Sequence, residues 1–225
     1  MHDLARHALT RTASFLAVAL LFVMLPAGSL TFWQGWTYWI VLSACVLVVT
    51  LYFLKHDPAL VQRRLKGGPV AEKEPVQRKI LWLTSALFVL LFVFPGLDHR
   101  FGWSHVPASL VIVADILVVV GFAIVFVTFK ANSYTAAIIE VAPDQPVISA
   151  GPYAIVRHPM YIGALVMLLA TPIALGSLWG VIIALGLVAC IVWRILTEEE
   201  FLVRNLPGYA EYRERVRYRL VPGVW

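Results

Sequence analysis

The residues best suited to chemistry lie in two short stretches. One is the strip Gly151-Pro152-Tyr153-Ala154-Ile155-Val156-Arg157-His158-Pro159-Met160-Tyr161-Ile162-Gly163, polar and turn-rich in a chain otherwise dominated by lipid-like side chains. The other is Arg194 with Glu198, four residues apart and therefore on one face of a helix. On a solvated helix such a pair adds only about 0.3 kcal/mol. Here it emerges directly from an apolar run. An acid, a fixed cation, an imidazole and tyrosines converging at the end of apolar segments can hold a polar, zwitterionic cofactor beside a lipid-embedded substrate. Pro159 suits the first turn of a helix, where no amide hydrogen is needed. The residue before a proline is biased toward extended backbone, which aims the His158 ring into such a pocket. The chain contains no phosphate loop, nucleophile elbow, HExxH or GxGxxG, so hydrolase and dinucleotide-binding readings lack support.

The elements that must position these groups are membrane helices. The chain has 225 residues, 60% of them hydrophobic and 14% charged, with mean hydropathy +0.82. Soluble domains carry about 25% charged residues. Four long segments are almost free of charge, the pattern of an integral membrane protein. The net charge of +5 reads as basic loops on one side of a membrane. Nucleic acid is not an expected partner, because no basic patch is interleaved with stacking aromatics. Cys45 and Cys190 lie inside apolar segments without CxxC or metal-ligand spacing and read as core thiols. No metal site is expected.

Residues 12–54 carry no formal charge, enough for two spans divided at Pro26, Gly28 and Gly35. Arg6 and Arg11 ahead of them, with Ala27-Gly28-Ser29 behind the first, resemble a signal peptide; a retained helix is expected because a second apolar run follows at once. Trp33, Trp36, Tyr38 and Trp39 at the divide read as interface anchors. Residues 55–79 form a basic loop, 80–97 a span ending at Pro95-Gly96, and Asp98-His99-Arg100 a short loop beyond it. Residues 107–129 form a span with one charge, Asp115, about 12 Å deep at about 1.5 Å per residue; a carboxylate there is a functional candidate. Residues 130–157 are irregular, broken by Pro143, Pro146 and Pro152. Residues 158–193 contain no Asp, Glu, Lys or Arg. One straight helix of that length, about 54 Å, exceeds a hydrocarbon core of about 30 Å. A hairpin of two short or tilted arms is expected, bent at Pro172, Gly176 and Gly180. The charged tail, 194–225, breaks at Leu206-Pro207-Gly208 into two helical pieces.

The expected fold is thus all-α and membrane-embedded, with about five to six transmembrane helices, a C-terminal hairpin and no Rossmann domain. It divides into N-terminal membrane helices (1–129) and a motif region (130–225). Of 18 Lys plus Arg, only Arg100 falls in a loop assigned to the outside. The positive-inside rule then puts both termini and the cofactor pocket in the cytoplasm, at the inner membrane if the source is bacterial. The hairpin brings Arg157-His158 back to Arg194 and Glu198.

Gly151-Pro152-Tyr153, Arg157-His158-Pro159-Met160-Tyr161-Ile162-Gly163, Arg194, Glu198-Glu199, and Tyr209, Tyr212 and Val216 together resemble the isoprenylcysteine carboxyl methyltransferase family. Related membrane phospholipid methyltransferases share much of the pattern. The resemblance covers about residues 130–220. It implies S-adenosylmethionine as methyl donor, bound outside any Rossmann fold. Carried over by position, cofactor contacts fall on Gln145, Pro146, Val147 and Ile148, on Tyr153, on His158, Pro159, Met160 and Tyr161, and on Glu198 and Glu199. Arg194 matches the arginine that carboxyl methyltransferases use near the substrate carboxylate, so Arg194 and Glu198 are the catalytic candidates. The family often has His where this chain has Gln145, so a side-chain contact there is the one in doubt.

The acceptor implied is a lipophilic molecule or lipid in the membrane. A carboxylate is already nucleophilic and suits the Arg194 cation. An amine, as in a phospholipid N-methyltransferase, needs a base and is repelled by Arg194; a thiolate acceptor also fits. Two other readings stand beside these: a reductase on a similar scaffold, short of basic residues for a nucleotide phosphate, and a non-catalytic lipid-binding protein. The sequence leaves the oligomeric state open.

Overall fold

A computed structural model describes residues 2–142 and 145–225; Pro143, read above as a breaker, lies outside them. The described residues form eight α-helices and no strand: α1 (His2–Ala27), α2 (Trp33–His56), α3 (Pro58–Leu65), α4 (Pro75–Phe101), α5 (Ala108–Ala131), α6 (Pro159–Ala174), α7 (Gly180–Asn205) and α8 (Tyr209–Arg215), with a 3-10 turn at Gly151–Ala154. Helices α1, α2, α4, α5 and α7 are long and apolar enough to cross a membrane, and the chain is an integral membrane protein. α6, with 16 residues, is a shorter apolar helix.

Local chemistry accounts for the boundaries. Asp57 ends α2 and caps α3: its Oδ1 accepts the Leu60 amide at 3.0 Å, ahead of Pro58. The span expected to stop at Pro95-Gly96 instead continues to Phe101, where Gly102 takes a left-handed φ of 66°. Asp98 is therefore helical and buried, not in a loop. Its Oδ2 accepts the Ser104 hydroxyl at 2.7 Å and also the Ser177 hydroxyl. These bonds tie the end of α4 to the α6–α7 connection. His99 stacks on Phe32, centroids 4.2 Å apart. Of the expected aromatic anchors, Tyr38 turns inward: it is buried, its hydroxyl 3.0 Å from that of Thr171.

The most extensive helix pairing is α5 with α6. It needs glycine on both sides: a Cβ on Gly163 would lie 2.6 Å from the Gly121 carbonyl oxygen. Small residues at such a crossing let two membrane helices approach closely. α6 and α7 form the expected hairpin through a turn at Gly176 (φ 72°), but with unequal arms. The 26 residues of α7 extend about 39 Å at about 1.5 Å per residue, longer than a core of about 30 Å. Its surplus C-terminal turns carry Arg194, Glu198 and Glu199 back beside the start of α6.

Candidate active site at the end of the α6–α7 hairpin

Arg157 and His158 are held by the chain's tail. The Arg157 amide donates to the Tyr218 carbonyl at 2.9 Å and the His158 amide to the Arg219 carbonyl at 3.0 Å. The Arg157 guanidinium donates through Nη1 to the carbonyls of Val216 and Arg217, both at 2.8 Å, and through Nε to Glu199 Oε1 at 2.6 Å. His158 Nε2 lies 3.1 Å from the same oxygen, and Arg219 Nε donates to Glu199 Oε2 at 3.0 Å. Glu199, 2% exposed, thus has both oxygens committed to three cationic or donor side chains. It joins α7, the strip and the tail.

A second set lies beside the first. The Tyr161 hydroxyl donates to Glu198 Oε2 at 2.7 Å and accepts from Arg194 Nε at 2.9 Å. Arg194 also donates through Nη1 to Gln77 Oε1 (3.2 Å) and through Nη2 to the Ala137 carbonyl (3.3 Å). Gln77, in the first turn of α4, reaches back to the Thr197 hydroxyl through its amide nitrogen. Glu198 Oε1 takes no hydrogen bond among the described residues, so half of this carboxylate is free for a ligand.

These groups border a partly open cavity. One wall carries Gln145, Pro146, Val147 and Ile148; a second carries Tyr153, His158, Met160 and Tyr161; α7 supplies Arg194 and Glu198. Two residues expected at the cofactor are not on the wall. Pro159 is buried in the first turn of α6, with no polar atom to offer. Glu199 points to the tail: one position along a helix turns a side chain by about 100°, which places neighbouring glutamates on different faces. Gln145 is on the wall, but its Oε1 accepts the Ala142 amide at 3.0 Å, so its side chain is partly spent on its own loop. Asp115 is buried in α5 and is not part of this cavity.

Several site residues lay beyond sequence reasoning. Gln77 positions Arg194. Glu72, in the loop before α4, accepts the amides of Lys73 and Glu74 on Oε1 and that of Ile139 on Oε2 at 3.0 Å, pinning the cavity wall at Ile139. Asn132 donates to the Tyr153 hydroxyl at 3.3 Å, and the Tyr212 hydroxyl donates to the Tyr153 carbonyl at 2.7 Å. Burial pushes the phenols of Tyr153, Tyr209 and Tyr212 above their ordinary range, keeping them protonated at neutral pH. The Tyr209 hydroxyl is buried on the cavity wall without a hydrogen-bond partner among the described residues. A buried polar group in that condition costs about 1–3 kcal/mol, which a ligand acceptor would recover.

No group of three or more His, Cys, Asp or Glu able to hold a metal ion occurs among the described residues. The polar wall with one free carboxylate oxygen and one unpartnered phenol fits a zwitterionic molecule. No curated protein is a significant match to the chain. Residues 109–207, from the first turn of α5 to just past α7, match the family model described as phospholipid methyltransferase, and that segment holds the strip, the hairpin and both glutamates.

Proposed function

We propose that this protein transfers a methyl group from S-adenosylmethionine to a lipophilic acceptor at the membrane boundary, and that the acceptor group is a carboxylate. The Arg194–Tyr161–Glu198 chain, on the wall of a polar cavity where apolar helices end, carries this reading. The donor supplies a methyl group on a sulfonium. A carboxylate oxygen's lone pair forms the new O–C bond as the C–S bond breaks, with its electron pair left on sulfur and no proton transferred.

The protein's part is positioning, which in well-oriented reactions lowers barriers by up to about 7–11 kcal/mol. Glu198 Oε1 is placed to accept the donor's ammonium. The Tyr209 hydroxyl is placed to donate to a carboxylate or ring nitrogen, and the 145–148 wall offers main-chain contacts. Arg194, held by Gln77 and Tyr161, presents a fixed cation to the acceptor's anion. Tyr161 fixes acid and cation relative to one another through one hydroxyl. The basic residues flanking the spans support a cavity on the cytoplasmic side.

The description of the matching family favours a second reading, a phospholipid amine as acceptor, with Glu198 taking the proton lost from nitrogen. Methyl-labelled S-adenosylmethionine incubated with the purified protein and a membrane lipid extract separates the two. The carboxylate reading predicts extractable label released as methanol by mild base. Base-stable label would overturn it in favour of the amine.

A further inference from the structure

Beyond the donor cavity the bundle carries two partly open apolar cavities. The first lies between α1, α2, α3 and α5, and the second among the membrane helices further along. Phe15 and Val46 line both. Together they follow α2 from Phe53 through Val49, Val46 and Leu42 to Tyr38. The fifteen steps from Tyr38 to Phe53 rise about 22 Å along the helix, more than the roughly 15 Å that is half a hydrocarbon core of about 30 Å. The Tyr38–Thr171 hydroxyl pair lines the far end.

The near end is guarded by Arg64. Its guanidinium packs over the Phe129 ring at 4.7 Å. Nη1 lies 3.8 Å from Met160 Sδ and donates at 3.5 Å, the limit of a hydrogen bond, to the Ala136 carbonyl. Met160 and Ala136 line the donor cavity, and Arg64 and Phe129 line the first apolar one, so this contact is the partition between them. Among the described residues, the three ion pairs all involve Glu199 and none involves Arg64. A guanidinium held against an aromatic ring and a thioether, without a carboxylate, is incompletely satisfied. Arg11, whose guanidinium donates to the Leu65 carbonyl at 2.7 Å, stands at the same cavity. By contrast, Arg194 already bonds Tyr161, Gln77 and Ala137.

We infer that Arg64 holds the acceptor's anionic group from the membrane side, opposite Arg194, and that one hydrocarbon chain of the acceptor lies along α2 through the two apolar cavities. The ligand class is a single-chain anionic amphiphile, and Val46, at the junction of the cavities, limits its chain length. This inference rests on the methyl-transfer reading only for the acceptor's fate, not for its binding.

The test is equilibrium binding to the full-length protein in nanodiscs. The probes are radiolabelled oleate, octanoate, oleyl alcohol and oleoyl lysophosphatidate, with S-adenosylmethionine titrated separately. Expected are a loss of oleate affinity of about tenfold in Arg64→Gln, about 1.4 kcal/mol, recovery of most of it in Arg64→Lys, and no change for oleyl alcohol or S-adenosylmethionine. Loss with both anionic probes assigns Arg64 to an anion as such; loss with one names carboxylate or phosphate as its partner. Val46→Trp should weaken oleate far more than octanoate. Unchanged binding of both oleate and oleoyl lysophosphatidate in Arg64→Gln, or equal losses for the two chain lengths in Val46→Trp, would overturn the inference. Should Arg64→Gln fail to fold, Val46→Trp decides alone. Failure of S-adenosylmethionine to bind the unsubstituted protein while the oleate effects persist would sink the methyl-transfer reading and leave this one standing.

Discussion

Glu198 and Glu199 are the same residue type at successive positions of α7, yet their surroundings differ in kind. Glu199 is enclosed by Arg157, His158 and Arg219, and both its oxygens are used. Glu198 lines the cavity and accepts one hydrogen bond, from Tyr161, which leaves its other oxygen without a partner among the described residues. A carboxylate whose hydrogen-bonding capacity is filled by protein groups holds the fold together. One left half-satisfied beside a cavity has capacity for a ligand. Arg157 and Arg194 both line the cavity, but their anchors differ: the tail and Glu199 hold the first, and Tyr161, Gln77 and Ala137 hold the second.

The contrast breaks most visibly at Glu199. Glu199→Ala leaves the Arg157 guanidinium buried without its anion, which costs about 3–5 kcal/mol. The expected result is a large drop in the thermal midpoint in detergent, together with proteolytic release of the 206–225 tail. A stable, fully active Glu199→Ala protein would erase the distinction between the two glutamates. Next in size is Arg194→Ala. Removing one preorganised electrostatic partner of a reacting group costs about 2.7–4 kcal/mol in rate, so methyl transfer should fall by about 10²–10³-fold while S-adenosylmethionine binding stays near its original value. Loss of donor binding with transfer per bound donor intact would move Arg194 from the acceptor to the donor.

Much of this arrangement was legible in the sequence because it is local. Charge-free runs marked the membrane helices, the spacing of Arg194 and Glu198 put them on one helix face, and the absence of charge from 158 to 193 implied the hairpin that returns them to the strip. What was illegible depends on contacts distant in sequence. Gln77 lies 117 residues from Arg194, and nothing around it marks it as a site residue. Glu72 sits in a segment that reads as a solvated basic loop, but it folds inward against Ile139. The different duties of Glu198 and Glu199 follow from where the tail packs, and only the register of α7 against that tail decides which faces the cavity. Asp98 reads as a loop residue for the same reason: its partners Ser104 and Ser177 lie 6 and 79 residues away.

The most direct test of the central claim is equilibrium binding of S-adenosylmethionine to the purified, detergent-solubilised protein, compared with Glu198→Ala. Saturable binding to the unsubstituted protein is expected. A hydrogen bond to a charged group contributes about 1.5–3 kcal/mol, so the variant should bind about 10–100-fold more weakly with its thermal midpoint little changed. Absence of saturable binding, or Glu198→Ala binding as tightly as the parent, would contradict the account.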